Sequence, residues 1–257
     1  MSTQTMTPPR FFTREDGRAR VGIPFWNGLL SALAAAAIGF AAAFVATIVL
    51  LFGVILVTGS EPSLNAGHPV VATTEVIFYV AGGWFAWWRL RSTGRAPFRA
   101  LDAHAWRTIL LGIAALLVVR VATVIQLVLT AQTKHVQTGF EHFDVVSKVP
   151  GFTALSIGLA VLSLVVVGPL AEEITFRGLL FGALAPNLGV LGSALVTAVL
   201  FGAAHGDWVL FPSLAALGFI SALAYAATGN LWVSVILHVL NNALGASFLV
   251  ADSLHRG

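Results

Sequence analysis

Leu155-Ser-Ile-Gly-Leu-Ala-Val-Leu-Ser-Leu-Val-Val-Val-Gly-Pro-Leu-Ala-Glu172-Glu173-Ile-Thr-Phe-Arg177-Gly-Leu-Leu-Phe181 is the stretch that decides the class of this chain. It is apolar over the ~20 residues that a transmembrane helix needs. Yet it holds two adjacent glutamates and an arginine. A charge near the bilayer centre costs about 2.5–3.5 kcal/mol on insertion scales, so an ionisable residue there reads first as a functional site. Two histidines follow in later apolar segments, His205 and His238. A base, a cation and two imidazoles are what a water-activating hydrolase needs.

The rest of the chain is of the same grade. It has 257 residues, 58% hydrophobic and 10% charged, with a mean hydropathy of +0.90. Soluble domains carry about 25% charged residues. The alternation of a β-barrel is absent, so the expected fold is all-α, a polytopic transmembrane helical bundle. With no cysteine, disulfides and thiolate metal sites are excluded. A net charge of +3 is no nucleic-acid footprint.

Apolar runs place spans at 25–57, 69–88, 108–131, 152–185, 189–205, 210–227 and 231–250, about seven in all. An eighth arises if the long first run hides a re-entrant piece or Pro169 breaks the fourth. Pro186-Asn187 and Thr228-Gly229-Asn230 mark turns. Trp84, Trp87 and Trp88 end the second span as an aromatic belt. Residues 1–23 form a polar leader with Arg10, Arg14, Arg18 and Arg20, and no cleavable signal peptide is expected there. The loop after the second span carries Arg89, Arg91, Arg95, Arg99 and Arg107 against Asp102 alone. By the positive-inside rule that loop and the N-terminus are cytoplasmic. The absence of cysteine and the many alanines fit a prokaryotic cytoplasmic membrane.

Distances along the helices bring the polar groups to one depth. At 1.5 Å per residue, Glu172 and His205 lie about 21 and 27 Å from the turn at 186–187, and His238 and Asn242 about 13 and 19 Å from Gly229. Glu173 and Arg177, four apart, share a face and can pair. Glu172 is rotated about 100° away and is free to act as a base. Phe201 and His205 are again four apart, as are His238 and Asn242. A phenyl ring under an imidazole can hold it, and a His and an Asn on one face can donate to one oxyanion.

The ordered set Glu172-Glu173-x-x-x-Arg177, Phe201-x-x-x-His205 and His238-x-x-x-Asn242 resembles the CAAX protease and bacteriocin-processing (CPBP, or Abi) family. The likeness extends to Phe176-Arg177-Gly178 and to Thr228-Gly229-Asn230-Leu231-Trp232, and covers about residues 150–245. It implies an intramembrane endopeptidase of the type II CAAX kind. By that likeness Glu172 is the general base on water with His205 assisting, His238 and Asn242 form the oxyanion hole, and Glu173, Arg177 and Phe201 support them. The expected organisation is a leader (1–23), a transmembrane region without motifs (24–150), the catalytic core (151–250) and a tail (251–257).

Glu172, His205 and His238 could equally hold zinc, with water as the fourth ligand. The helical His-Glu-x-x-His pattern is missing, so catalysis without a cofactor is the preferred reading and a divalent metal such as zinc the alternative. The expected partners are a membrane-associated peptide or protein substrate and the lipid bilayer, with no nucleic acid; the oligomeric state is open. A different class of function is a catalytically idle immunity or scaffolding protein that binds a partner peptide in the membrane. A third, a small carrier relaying protons, lacks the repeat symmetry such folds show. Outside the site, Arg120 and Glu75 are expected to form a structural ion pair. His104, His135, His142 and His255 read as solvated.

Overall fold

The computed structural model describes residues 23–59, 69–94, 96–131 and 158–256, and every regular element among them is helical. The leader to residue 22, Glu61, Arg95, His135 and His142 lie outside the described residues, as does the side chain of His255. The elements are α1 (Phe25–Thr58), α2 (Pro69–Arg91), α3 (Ala103–Leu129), a π-helical stretch (Leu162–Val167), α4 (Gly168–Glu173), a second π-helical stretch (Ile174–Phe181), α5 (Gly182–Ala204), α6 (Phe211–Thr228) and α7 (Leu231–Arg256). The fold is the expected all-α transmembrane bundle.

Five helical stretches are long and apolar enough to cross a membrane, and Leu231–Ser247 is a shorter apolar helix. One of the five, Gly158–Ala204, runs 47 residues. As a straight rod it would span about 70 Å, more than twice the ~30 Å of hydrocarbon. It is bent at Gly189, where φ is 68° and ψ 178°. That positive φ suits glycine, which has no Cβ to clash. The stretch therefore holds two arms, and the turn expected at Pro186-Asn187 falls at Gly189. Pro169 does not break its helix. The chain passes it in π-helical and α-helical turns. At the other end, α7 continues as far as Arg256, through the expected tail.

Small residues set the helix crossings, as in membrane bundles generally. Gly39 of α1 lies against Phe78 of α2, and Gly82 of α2 against the Ala35 carbonyl. Gly83 faces Ala171 of α4, and Gly28 of α1 faces Ala183 of α5. Gly112 of α3 takes the side chain of Leu237 of α7, and Gly218 of α6 packs on Ala198 and Phe201 of α5. Two buried clusters result. One joins α1, α2 and the π-helical turns to the ends of α5 and α6, including Ala35, Leu90, Ile174, Phe181 and Tyr225. The other joins α3, α5, α6 and α7, including Ile109, Phe201, Leu217, Val233 and Leu237. Large apolar side chains such as Phe40, Phe44, Leu110 and Leu111 point outward from α1 and α3, the faces that lipid covers.

A polar clasp fixes one end of the bundle. The Asn230 side chain donates to the Arg99 carbonyl at 3.0 Å and accepts from the backbone N–H of Arg99 and Trp232, each at 3.2 Å. The Leu231 N–H donates to the Pro97 carbonyl at 2.8 Å, and the Arg99 guanidinium to the Thr228 carbonyl at 2.6 Å. Asp102 caps α3, accepting from the Ala105 N–H at 2.7 Å. The loop between α2 and α3 is thus tied to the loop between α6 and α7, so α3 and α7 start side by side and run parallel. Asn230→Ala removes several bonds to a side chain only 3% exposed. It should destabilise the fold by about 1–3 kcal/mol, read as a lower unfolding temperature in detergent.

Candidate active site

The site forms where α4, its π-helical continuation, α5, α6 and α7 meet. Its centre is Glu173, which is fully buried. One oxygen, Oε1, faces the Arg177 guanidinium at 3.1 Å and accepts from Nδ1 of His238 at 3.0 Å. Arg177 is also fully buried, and it donates to the Gly218 carbonyl at 2.9 Å. Gly218 was not singled out from the sequence. Its carbonyl is reachable because a glycine lets α6 approach the Phe201 ring.

Phe201 of α5 is the apolar hub, with no exposed surface. The Arg177 guanidinium lies 4.8 Å from its ring centroid. The rings of Phe176, His205 and His238 lie at 5.2, 4.7 and 5.5 Å. One phenyl ring therefore supports the cation and both imidazoles that the sequence singled out. Cation–ring contact of this kind is strongest where water is excluded.

Glu172 lies on the next position of the helix and behaves differently. Its side chain keeps 17% of its surface open, where Glu173 and Arg177 keep none and His238 keeps 2%. Its Oε2 is 3.8 Å from Nε2 of His238. That is too far for a direct hydrogen bond and near enough for a shared water or substrate atom. His238 thus stands between two carboxylates. Its Nδ1 gives its hydrogen to Glu173, which leaves Nε2 facing Glu172. Tyr79 of α2 comes in beside it, its ring 3.3 Å from where a Cβ of Gly168, one turn before Glu172, would stand. Tyr79 was missed in the sequence. It is one of only two tyrosines, and a lone phenol inside a span was the signal available.

His205 caps the end of α5 and is exposed. Its Nδ1 donates to the Phe201 carbonyl of its own helix at 2.8 Å. A carbonyl only accepts, so this bond leaves Nε2 as the basic nitrogen. The structure brings His205 to Phe201 rather than into direct contact with Glu172. Asn242 donates to the Leu164 carbonyl at 2.9 Å. The cause is local. In a π-helical turn that carbonyl would accept from residue 169, as Ser163 does from Gly168, but residue 169 is proline and has no N–H. Asn242 satisfies the orphan with one amide hydrogen, which leaves the other free, and its oxygen accepts from Asn241 at 3.0 Å. The Asn241 carbonyl takes the Arg120 guanidinium at 2.7 Å. Arg120 therefore serves α7 instead of the expected pair with Glu75. Among the described residues no group of three His, Cys, Asp or Glu side chains that could hold a metal ion is found.

Residues 154–244 match the family described as type II CAAX prenyl endopeptidase Rce1-like. Over this region the chain is similar to that family. Among curated proteins the chain is 34% identical over 99 residues to a putative membrane peptidase, YdiL, of Bacillus subtilis, covering 38% of this chain and 37% of that one. It is 31% identical over 101 residues to the membrane-embedded CAAX protease MroQ of Staphylococcus aureus, covering 37% and 41%. The chain thus spans about two fifths of the length of these relatives. No solved structure matches it. The matched segment contains Glu172, Glu173, Arg177, Phe201, His205, His238 and Asn242, and leaves out α1, α2 and α3.

Arg177→Met strands the Glu173 carboxylate in a dry site. Removing one partner of a buried ion pair costs about 3–5 kcal/mol. The variant should unfold at a clearly lower temperature in detergent, and the double change Glu173→Leu with Arg177→Met should recover part of the loss. An unaltered unfolding temperature for the single variant would show that the pair does not hold the bundle together.

Proposed function

We propose that the chain is an intramembrane endopeptidase. Its substrates are membrane-associated or hydrophobic peptides, CAAX-type or bacteriocin-like, cleaved within the bilayer or at its cytoplasmic side. The observation that carries this reading is the contrast between two neighbouring carboxylates. Glu173 is sealed and paired, whereas Glu172 is partly open beside an imidazole already anchored from behind. The match of residues 154–244 to the type II CAAX prenyl endopeptidase Rce1-like family supports the same reading.

In this mechanism Glu172 takes a proton from water as the oxygen attacks the scissile carbonyl carbon, and His205 assists through its basic Nε2. The developing oxyanion is met by His238, through Nε2 when that atom carries the proton, and by the free amide hydrogen of Asn242. Preorganised donors of this kind are commonly the largest single contribution to acyl-transfer catalysis. The proton held by Glu172 then passes to the leaving amine as the C–N bond breaks. Arg177, Glu173 and Phe201 hold His238 in place. These roles use no metal. The chain lies in the cytoplasmic membrane of a prokaryote, with its N-terminus inside.

Glu172→Gln keeps the shape and removes the base. On a quenched fluorescent CAAX-type peptide, detergent-purified wild type should cleave, and the variant should lose at least about 100-fold in kcat while unfolding at the wild-type temperature. Activity should survive 1,10-phenanthroline. Loss with the chelator would mean a metal site instead. A variant as active as wild type would sink the assignment of Glu172. Peptide binding without cleavage by wild type would favour the immunity or scaffolding reading.

A further inference from the structure

The matched segment begins at residue 154, yet one side chain beside Glu172 comes from outside it. The Tyr79 ring of α2 packs on Gly168, one turn before Glu172 on the same helix face, and a helical side chain leans back over the preceding turn, so the phenol stands beside Glu172. The approach is built into both helices. Gly83, one turn beyond Tyr79, faces Ala171, and a Cβ added there would come within 2.7 Å of the alanine methyl. Gly168, one turn before Glu172, has the Tyr79 ring where its own side chain would be, 3.3 Å from a built Cβ. A methyl at Gly83 forces the two helices to shift, and one at Gly168 would press on the Tyr79 ring. On its other side, the Gly82 position of α2 abuts the Ala35 carbonyl of α1, so α2 is wedged between α1 and α4 and cannot drift away. The phenol ring is further set by Phe78, edge to face at 5.1 Å.

Glu172 needs such a constraint more than its neighbour does. Glu173 is fixed by Arg177 and His238. Glu172 stands 3.8 Å from His238 and has no cation of its own in hydrogen-bonding range among the described residues. A carboxylate on two free rotors is a poorly placed base, and a misplacement of about 1 Å can cost a factor of about 100 in rate.

We propose that Tyr79 is the positioning residue for Glu172, so that the region of the chain without motifs supplies part of the proteolytic site. The inference rests on the proteolytic reading for its meaning, but the contact itself can be read without turnover. The antisymmetric carboxylate stretch of Glu172 is the infrared band that Glu172→Gln removes. That band should move in Tyr79→Phe. It should move also in Gly83→Ala, which keeps the phenol but pushes α2 off Ala171. It should stay in Thr74→Ala, which deletes a hydroxyl of the same helix that is bonded to the Val71 carbonyl. On a peptide that wild type cleaves and Glu172→Gln does not, Tyr79→Phe should lower kcat about 10- to 100-fold with KM within about two-fold, since the substrate is not what the phenol touches. An unmoved band in Tyr79→Phe overturns the inference. So does an unchanged kcat, or a loss that appears in KM alone. If wild type cleaves no peptide, the proteolytic reading fails by itself, and the band still decides whether Tyr79 holds Glu172.

Discussion

The rest of the structure depends on one buried ion pair, Glu173 with Arg177. Two full charges in the membrane interior are tolerable only because each finds its counterpart one helical turn away, at 3.1 Å. The pair then organises what surrounds it. Arg177 reaches the Gly218 carbonyl and draws α6 in. Its charge lies over the Phe201 ring and fixes α5. Glu173 takes the Nδ1 hydrogen of His238 and fixes α7. Such a pair gains little net stability over apolar side chains of similar volume. What it supplies here is orientation: one imidazole locked at one nitrogen and presented at the other.

Close approach of the helices makes that geometry available. Glycine and alanine line the crossings of α1 with α2, α2 with α4 and α5 with α6. Contact at this distance lets backbone carbonyls act as partners for side chains, as Gly218 does for Arg177, Asn241 for Arg120 and Leu164 for Asn242. In a medium without water these carbonyls are the commonest acceptors, and the buried polar side chains use them.

The sequence showed the class of fold and the main members of the site through a single conflict, charged residues in apolar runs. The helical repeat placed Glu173 and Arg177 on one face, and they pair. The same repeat put Phe201 beneath His205, and the rings do meet. Three features were hidden. The partners of Arg177 and Asn242 are carbonyls, which every residue has. The π-helical turns around α4 shift facing residues by a register that a 3.6-residue period does not describe, which is why Asn242 meets Leu164. The turn near residue 186 falls at Gly189, because proline is tolerated near a helix end while only glycine takes the positive φ. Arg120 shows the opposite error. A plausible acidic partner at similar depth was preferred to an adjacent carbonyl that the sequence does not display.

The clasp at Asn230 has a consequence for how the molecule comes into being. Glu172 and His238 stand on helices that leave the ribosome far apart in time, and α7 follows every other element of the site along the chain. Until α7 enters the membrane, Glu173 has Arg177 but no imidazole, and the Pro97 carbonyl lacks the Leu231 N–H. Insertion of α7 closes the clasp and delivers His238 in one event. A chain still being synthesised therefore carries the charges of the site without the geometry that α7 completes.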